Sequence, residues 1–441
     1  MSDFDLIIIG GGPAGLTAGL YAARANMNAV LFEGKDVGGE ILNTDLIEDY
    51  PGFDSVTGTE LATKMADHAR KFGLRIETYA LVKEVRQDGD RKIVEMSDGT
   101  VHRAYAVIVT VGGEPVKLGV PGEIEFHGKG VSYCAVCDGA FFKGADLAVI
   151  GGGDSAFQEG LFLTRFAKTL KVVHRRSEYR AQAILQDRLL GMENVSTIAP
   201  AVVREIGGDE AGVKWMDVER ADAPVERVPV EGVFVFIGFK PVGRHLFKDH
   251  IAHDDNDYLI TDQFMQTSIP GVYAAGDTRA QFAKQITTAV GDATTAVLHA
   301  ERYIEELKHA ERAFPHVPKE TIVRATEGMS IRTFAPGEVV VREGAKSDAF
   351  FVIAKGEALV SQRDASGVER VVNTLREDQF FGELGILRDQ PRDATVRAKT
   401  SLEVIVVSKE AFRMLVESSR HTADEIARVA QTRVREAAAT R

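Results

Sequence analysis

Two cysteines, the only two in 441 residues, stand three apart as Cys134-Ala135-Val136-Cys137, with Asp138 directly after them. Thiols at this spacing can alternate between dithiol and disulfide, because one sulfur can be attacked while the other leaves. A structural zinc ion would need four ligands, and no second cysteine pair or histidine pair stands nearby to complete such a set. Redox exchange is therefore the expected chemistry, and no metal site is expected. The pair lies just ahead of the second of two glycine-rich turns, so the next question is what brings electrons to it.

The first turn, Gly10-Gly11-Gly12-Pro13-Ala14-Gly15, follows the apolar run Leu6 to Ile9 and opens a helical pattern from Leu16 to Ala25. Strand, tight turn and helix bring a dinucleotide pyrophosphate to a helix N-terminus, where free N–H groups and the macrodipole favour an anion. The next strand, Ala29 to Phe32, ends in Glu33, about 20 residues on, where an acid can take ribose hydroxyls. The second turn repeats the logic: Leu147 to Ile150 leads into Gly151-Gly152-Gly153-Asp154-Ser155-Ala156. Here the following strand, Leu170 to Val173, ends in His174-Arg175-Arg176, with Arg180 close behind. Guanidinium groups suit the 2′-phosphate of NADPH, where an acid would suit NAD. Two dinucleotide sites and a dithiol imply an electron path from NADPH to a flavin and on to the disulfide. The later stretch Gly271 to Asp277 reads as a strand returning to the first unit, with Asp277 placed to meet a flavin's ribityl or phosphate oxygens.

From Leu6 to about Leu307 the chain resembles the low-molecular-weight thioredoxin reductases, flavoproteins in which an NADPH domain is inserted into a split FAD domain. The resemblance implies an α/β flavoprotein with two dinucleotide-binding domains: residues 1–114 and 244–305 form the FAD domain, and 115–243 the NADPH domain with the cysteines. It implies FAD contacts at Gly10, Gly12, Pro13, Ala14, Gly15, Glu33, Gly38, Gly39, Glu40, Thr110, Gly112, Gly276, Asp277, Lys284, Gln285 and Ile286. Glu40 stands where the family usually has glutamine, and Asp49 where it usually has asparagine. NADPH contacts are implied at Gly151, Gly153, Asp154, Ser155, Ala156, His174, Arg175, Arg176 and Arg180. By the same resemblance Cys134 would exchange with the protein substrate, Cys137 would face the flavin, and Asp138 would give a proton to the departing thiolate. Thioredoxin is the implied substrate and a homodimer the implied assembly. A thioredoxin-like, glutaredoxin-like or peroxiredoxin partner is the alternative within this class. A flavin oxidase passing electrons from a dithiol to oxygen is a rival class, but it would not need the arginine cluster. Because the dithiol and the nicotinamide site share one domain and one flavin, the family rotates its domains. Gly112-Gly113 and Val242-Gly243 are the expected hinges.

Beyond Ile304 the composition turns polar, and Pro315 and Pro318 interrupt the helical pattern, so 306–320 reads as a linker. From 321 to 441 short stretches alternate with turn signals at Phe334-Ala335-Pro336-Gly337, Glu343-Gly344, Lys355-Gly356 and Ala365-Ser366-Gly367. Such spacing suggests an antiparallel β-roll with flanking helices. Within it, Phe381-Gly382-Glu383-Leu384-Gly385 and Gln390-Pro391-Arg392-Asp393-Ala394-Thr395 combine a carboxylate, a short helix and an arginine. That set can accept a ribose hydroxyl and neutralise a phosphate. The segment resembles the phosphate cassette of cyclic-nucleotide-binding domains. The resemblance implies Glu383 on the ribose, Arg392 on the cyclic phosphate of cAMP or cGMP, and Gly382, Leu384, Ala394 and Thr395 around them. Asp393 stands where the family usually has a small residue, and a roll that has lost its ligand is the alternative. The stretch from Lys409 to Arg441 reads as helices that could close over a ligand.

The formal net charge of −12 would repel nucleic acid. No apolar run reaches the roughly 20 residues that cross a bilayer. Neither nucleic acid nor membrane is an expected partner. The start Met1-Ser2-Asp3 moves straight into a strand-like run, which leaves no room for a signal sequence and points to the cytoplasm, where a cysteine pair is more often catalytic than structural.

Overall fold

The computed structural model describes residues 2–44, 47–221, 223–248, 250–364 and 366–440. Of the residues read above, Met1, Ala365 and Arg441 lie outside that set. The chain opens with β1 (Ser2–Ile9), α1 (Pro13–Arg24) and β2 (Ala29–Phe32). The apolar runs of β1 and β2 are buried and pair in parallel, as runs without alternation do when both faces of a sheet are covered. After α2 (Gly58–Lys71) come β3 (Arg75–Glu77), β4 (Val82–Asp88), β5 (Arg91–Met96) and β6 (Val101–Val109). Together they give the order β3-β2-β1-β6-β5-β4.

The chain then leaves through β7 (Gly113–Pro115) into a second unit. This contains β8 (Val131–Ser132), α3 (Ala135–Asp138), β9 (Asp146–Ile150), α4 (Asp154–Leu163), β10 (Thr169–Val173), α5 (Ala183–Leu190) and β11 (Val195–Ile198). An antiparallel trio follows, β12 (Val202–Asp209), β13 (Gly212–Glu219) and β14 (Glu226–Pro229), and then β15 (Gly232–Val235). The parallel sheet runs β11-β10-β9-β15-β8. The exit strand β16 (Phe239–Pro241) pairs antiparallel with β7, so the outgoing and returning chains form one two-stranded ribbon at the expected hinges. β17 (Val272–Ala274) then adds to β6 in parallel. The first sheet is thus completed by chain that lies beyond the inserted unit.

The linker expectation differs from the structure. α6 (Ile286–Ala313) runs unbroken through residues 306–313. Ala300, Tyr303, Ile304, Leu307 and Ala310 recur at helical spacing and are all buried, so an apolar stripe underlies the polar composition. The helix ends at Phe314, as expected of the residue before Pro315. α7 (Lys319–Ala325) starts directly after Pro318.

The last unit contains β18 (Met329–Phe334), β19 (Val339–Val341), β20 (Ala349–Lys355), β21 (Ala358–Arg363), β22 (Glu369–Leu375) and β23 (Phe380–Phe381). It continues with α8 (Glu383–Arg388), β24 (Thr395–Ala398), β25 (Leu402–Ser408), α9 (Lys409–Ser418) and α10 (Arg420–Thr440). Its strands form two antiparallel sheets, β18-β25-β20-β23 and β19-β24-β21-β22. One buried cluster extends from Leu16 of α1 through α6 to Phe350 of β20 and Phe412 of α9, joining the roll to the first unit. No helix among the described residues is long and apolar enough to cross a membrane.

Candidate functional site

The first glycine turn is dictated by close backbone approach. Gly10 has φ +105°, and a Cβ there would lie 2.5 Å from the Thr110 carbonyl oxygen, while one on Gly15 would lie 1.8 Å from the Gly10 oxygen. Gly12 differs: a Cβ would meet Gly38 and Gly39 backbone atoms only at 3.9 Å, an ordinary contact. Pro13 and Ala14 begin α1. The Thr110 hydroxyl reaches the Ile9 and Gly10 carbonyls at 2.9 and 2.8 Å. Glu33 accepts from Gly11 N–H at 2.6 Å and from Lys35 N–H at 2.8 Å, which fixes its carboxylate beside the turn. Gly276, at φ +74°, packs toward Ala14, where a Cβ would come within 3.2 Å of the Ala14 Cβ. The Gly276 N–H donates to Asp292 (3.2 Å), and Lys284 Nζ donates to the Asp277 carbonyl (3.1 Å). Gln285 caps α6 in a reciprocal exchange with Thr288, ahead of Ile286. Gly112, with φ +63° and nothing within 4 Å of a Cβ, directly precedes β7, and its carbonyl accepts from Val242 N–H at 3.4 Å. Burial raises the pKa of Asp277. The glycine turn at the N-terminus of α1, with Glu33 fixed at the strand end, fits an FAD diphosphate and ribose.

Cys134 and Cys137 form a disulfide. Cys134 occupies the N-cap of α3, where its sulfur accepts from Cys137 N–H at 3.1 Å, and its own N–H donates to Ser132 Oγ at 3.1 Å. Asp138 ends the same turn. Both sulfurs face the first unit: Asn43 Oδ1 lies 3.2 Å from Cys134 Sγ and 3.7 Å from Cys137 Sγ. Asn43 belongs to the single turn Gly39–Asn43, which starts beside Gly12: a Cβ on Gly39 would lie 3.1 Å from the Gly12 Cα. Sequence reasoning did not find Asn43, since this contact joins residues 91 apart in the chain. A second link between the units, Arg188 to Glu48 at 2.5 Å, was equally hidden.

The second glycine turn has the same design. A Cβ on Gly151 would lie 2.3 Å from the Phe236 carbonyl oxygen, whereas Gly153 has nothing within 4 Å. Asp154, at the first position of α4, accepts from Gln182 N–H at 2.7 Å, and the buried Ala156 follows Ser155 into the helix. The basic cluster divides. His174 is buried under the turn, where a Cβ on Gly152 would strike its ring, while Arg175, Arg176 and Arg180 are exposed. Burial, and secondarily the neighbouring arginines, lower the His174 pKa. The imidazole supports the turn, and the three guanidinium groups remain for a phosphate.

In the roll, Gly382, Glu383, Leu384, Arg392 and Ala394 line one pocket together with Asp393. Thr395 lies outside this lining, and its hydroxyl accepts from Glu343 N–H at 3.1 Å. Gly382 has φ +90°, and a Cβ there would lie 2.5 Å from Arg392 Nη1. Arg392 is 5% exposed, and its two terminal nitrogens donate to the Gly382 carbonyl (2.9 Å) and the Ala349 carbonyl (2.5 Å). Its Nε is buried without a hydrogen-bond partner among the described residues. Glu383 is 1% exposed and accepts from Arg433 of α10 at 2.8 Å, while Arg433 also reaches the Phe380 carbonyl at 2.7 Å. Burial raises the Glu383 pKa, and the Arg433 charge opposes that. No local motif marks Arg433, which arrives from 50 residues away.

Comparison with known proteins places both halves. The pyridine nucleotide-disulphide oxidoreductase family matches residues 4–300, and the cyclic nucleotide-binding domain family matches residues 331–419. A thioredoxin reductase of Listeria monocytogenes is 45% identical over 311 residues, covering 70% of this chain and 97% of that protein. One from Bacillus subtilis is 43% identical over 306 residues, covering 69% and 96%. Among solved structures, Lactococcus lactis thioredoxin reductase in its FR conformation superposes with TM-score 0.66 at 39% identity, covering 68% of this chain and 99% of that one. The T. acidophilum thioredoxin reductase gives 0.65 at 33% identity, covering 68% and 98%. The chain therefore belongs to the thioredoxin reductase branch of the pyridine nucleotide-disulphide oxidoreductases, FAD- and NADPH-dependent disulfide reductases, extended here by a cyclic nucleotide-binding domain.

Proposed function

We propose that this protein carries electrons from NADPH through FAD and the Cys134–Cys137 pair to the disulfide of thioredoxin, and that a cyclic nucleotide in the carboxyl-terminal roll modulates the transfer. The observation that carries the reading is the disulfide resting against Asn43, on the turn whose first residue, Gly39, packs on Gly12. FAD held along that cradle supplies a two-electron carrier between the nicotinamide and the disulfide. Backbone N–H groups at the start of α1 take its diphosphate, Glu33 its ribose, and Gly276–Asp277 its middle. Arg175, Arg176 and Arg180 grip the 2′-phosphate of NADPH, over the turn from Gly151 to Ala156. Two electrons break the Cys134–Cys137 bond, and Asp138 and solvent supply the two protons of the dithiol. The Cys134 thiolate then attacks the thioredoxin disulfide. Cys137 resolves the mixed disulfide, which releases the reduced partner and restores the starting bond. Family membership supports a homodimer as the working assembly, and a redox pair as the sole cysteine content suits a reducing compartment. Glu383 and the Arg392 Nε, buried with no hydrogen-bond partner among the described residues, support a ribose-phosphate ligand in the roll.

The test is NADPH oxidation by the purified flavoprotein with thioredoxin as acceptor, with and without cAMP or cGMP. Cys134→Ser and Cys137→Ser should each drop turnover to background while NADPH still bleaches the flavin. Undiminished turnover in either variant, or a purified protein that holds no flavin, overturns the reductase reading. A nucleotide that binds yet changes neither kcat nor KM overturns the regulatory half, because only differential affinity for two states shifts an equilibrium.

A further inference from the structure

We propose that Asn43 is a further catalytic residue of the disulfide reduction: its side-chain carbonyl accepts an S–H of the Cys134–Cys137 dithiol, finds no hydrogen in the disulfide, and so favours the reduced pair while the two units are docked as observed. The inference rests on the reading of this pair as the redox centre. Asn43 comes from the first unit and lies against both reacting atoms, with Oδ1 at 3.2 Å from Cys134 Sγ and 3.7 Å from Cys137 Sγ. An amide can turn either end to such a neighbour, and Glu40 decides which end it is. Its Oε2 accepts from Asn43 Nδ2 at 3.1 Å, and an ionised carboxylate can only accept. The amide nitrogen is thereby held by Glu40, and the carbonyl oxygen is left for the sulfurs.

Against a disulfide this oxygen meets two sulfurs that carry no hydrogen, so neither contact is a hydrogen bond in the oxidised state. Two electrons and two protons break the S–S bond and leave two S–H groups, one of which then has an acceptor already in reach. The same oxygen disfavours a thiolate, since its lone pairs would face a negative sulfur. The Cys137 N–H acts in the opposite sense: it donates to Cys134 Sγ at 3.1 Å and favours the anion there. These two influences sit on different bodies. The N–H travels with the sulfurs in the second unit, whereas Asn43 stays with the first. While docked, Cys134 is held as a thiol; once the units part, only the donor that favours the nucleophilic thiolate remains. One side chain thus couples reduction of the pair to docking, and its reactivity to release.

The experiment equilibrates the full chain in dithiothreitol buffers of graded dithiol-to-disulfide ratio and traps free thiols with a maleimide. The chain has no other cysteine, so its mass reports the fraction of the pair that is reduced. Asn43→Ala should need a ratio about two- to tenfold higher for half reduction, the size of one net hydrogen bond, or up to ~30 mV for a two-electron couple. Asn43→Asp keeps an oxygen facing the sulfurs and should stay closer to wild type than Asn43→Ala does. Glu40→Gln frees the amide to turn and should shift in the same direction as Asn43→Ala, by less. In the reduced proteins, iodoacetamide should alkylate Cys134 faster in Asn43→Ala than in wild type. Equal midpoints in wild type and Asn43→Ala overturn the proposal, as does a shift of Asn43→Asp equal to that of Asn43→Ala, which would assign the effect to packing. Alkylation no faster than in wild type overturns the coupling to release. A wild type whose pair is reduced by dithiothreitol but never by NADPH fails the reductase reading instead, so the two failures are distinct.

Discussion

At the residue scale, Lys92 is a charge that the first unit's interior disfavours. It is fully buried in β5, its ammonium has no hydrogen-bond partner among the described residues, and it lies 5.9 Å from the Tyr303 ring centre. Burial pushes its pKa down to about 7, with Asp90 opposing. An unfolded lysine titrates near 10.4, so between these values the unfolded chain binds more protons than the native one. Stability should therefore rise with pH from about 7 toward 10, by at most ~1.4 kcal/mol per unit. Below about 7 the full penalty of the buried charge remains. Lys92→Met should stabilise the protein at neutral pH and flatten that rise, as read from Tm at several pH values. Equal pH slopes in both proteins would refute the assignment. Nothing in Arg91-Lys92-Ile93 announces a buried ammonium, because the covering comes from α6, some 200 residues on. Gly15 was legible for the opposite reason: the demand there comes from the Gly10 carbonyl of its own turn.

At the element scale, α6 and the α8 turn carry the consequences. Composition around residues 306–313 reads as linker because Glu, Lys and His dominate it. Only the spacing of Leu307 and Ala310 with the earlier apolar positions reveals the helix. Leu307 is fully buried in the cluster that joins the first unit to the roll. Leu307→Ala should cost about 2–5 kcal/mol and expose the segment between α6 and α7 to protease, measured by urea unfolding and by timed digestion. Unchanged stability and digestion would mean that the stripe is not what holds the roll in place. At Gly382 the requirement is both conformational and steric, since φ is +90° and a Cβ would displace Arg392. Gly382→Ala should weaken cyclic nucleotide binding at least tenfold, an effect of ~1.4 kcal/mol, while leaving thioredoxin reduction without nucleotide intact. Calorimetry beside the turnover assay checks both. The pocket was legible as a local motif, whereas its closure by Arg433 depends on the path of α10 and was not.

At the scale of the whole molecule, the order of units followed from the two fingerprints and the intervening cysteines, but their mutual orientation could not. That orientation is set by contacts between distant segments: the sulfurs against Asn43, Arg188 against Glu48, and the β7–β16 ribbon that carries both chain crossings. Ala135 of α3 shares a buried cluster with Val149 and Ala156, so the disulfide and the second glycine turn belong to one rigid body. With that body placed as here, the disulfide addresses the first unit, and on the proposed electron path the nicotinamide site would reach the same flavin by a rotation about the ribbon. The Arg188–Glu48 pair is solvent-exposed and worth ~0.2–1 kcal/mol, so Arg188→Ala alone should shift the balance of orientations less than about tenfold. A covalent tie should do far more. With the native disulfide closed, cysteines placed by Glu48→Cys and Arg188→Cys and bridged by a bis-maleimide should hold the observed orientation. Dithiothreitol, entering through Cys134–Cys137, should then still bleach the flavin, whereas NADPH should not, and steady-state thioredoxin reduction should stop. Stopped-flow flavin absorbance separates the two half-reactions, and a bridged protein that NADPH bleaches as fast as the unbridged one would rule out rotation as a required step.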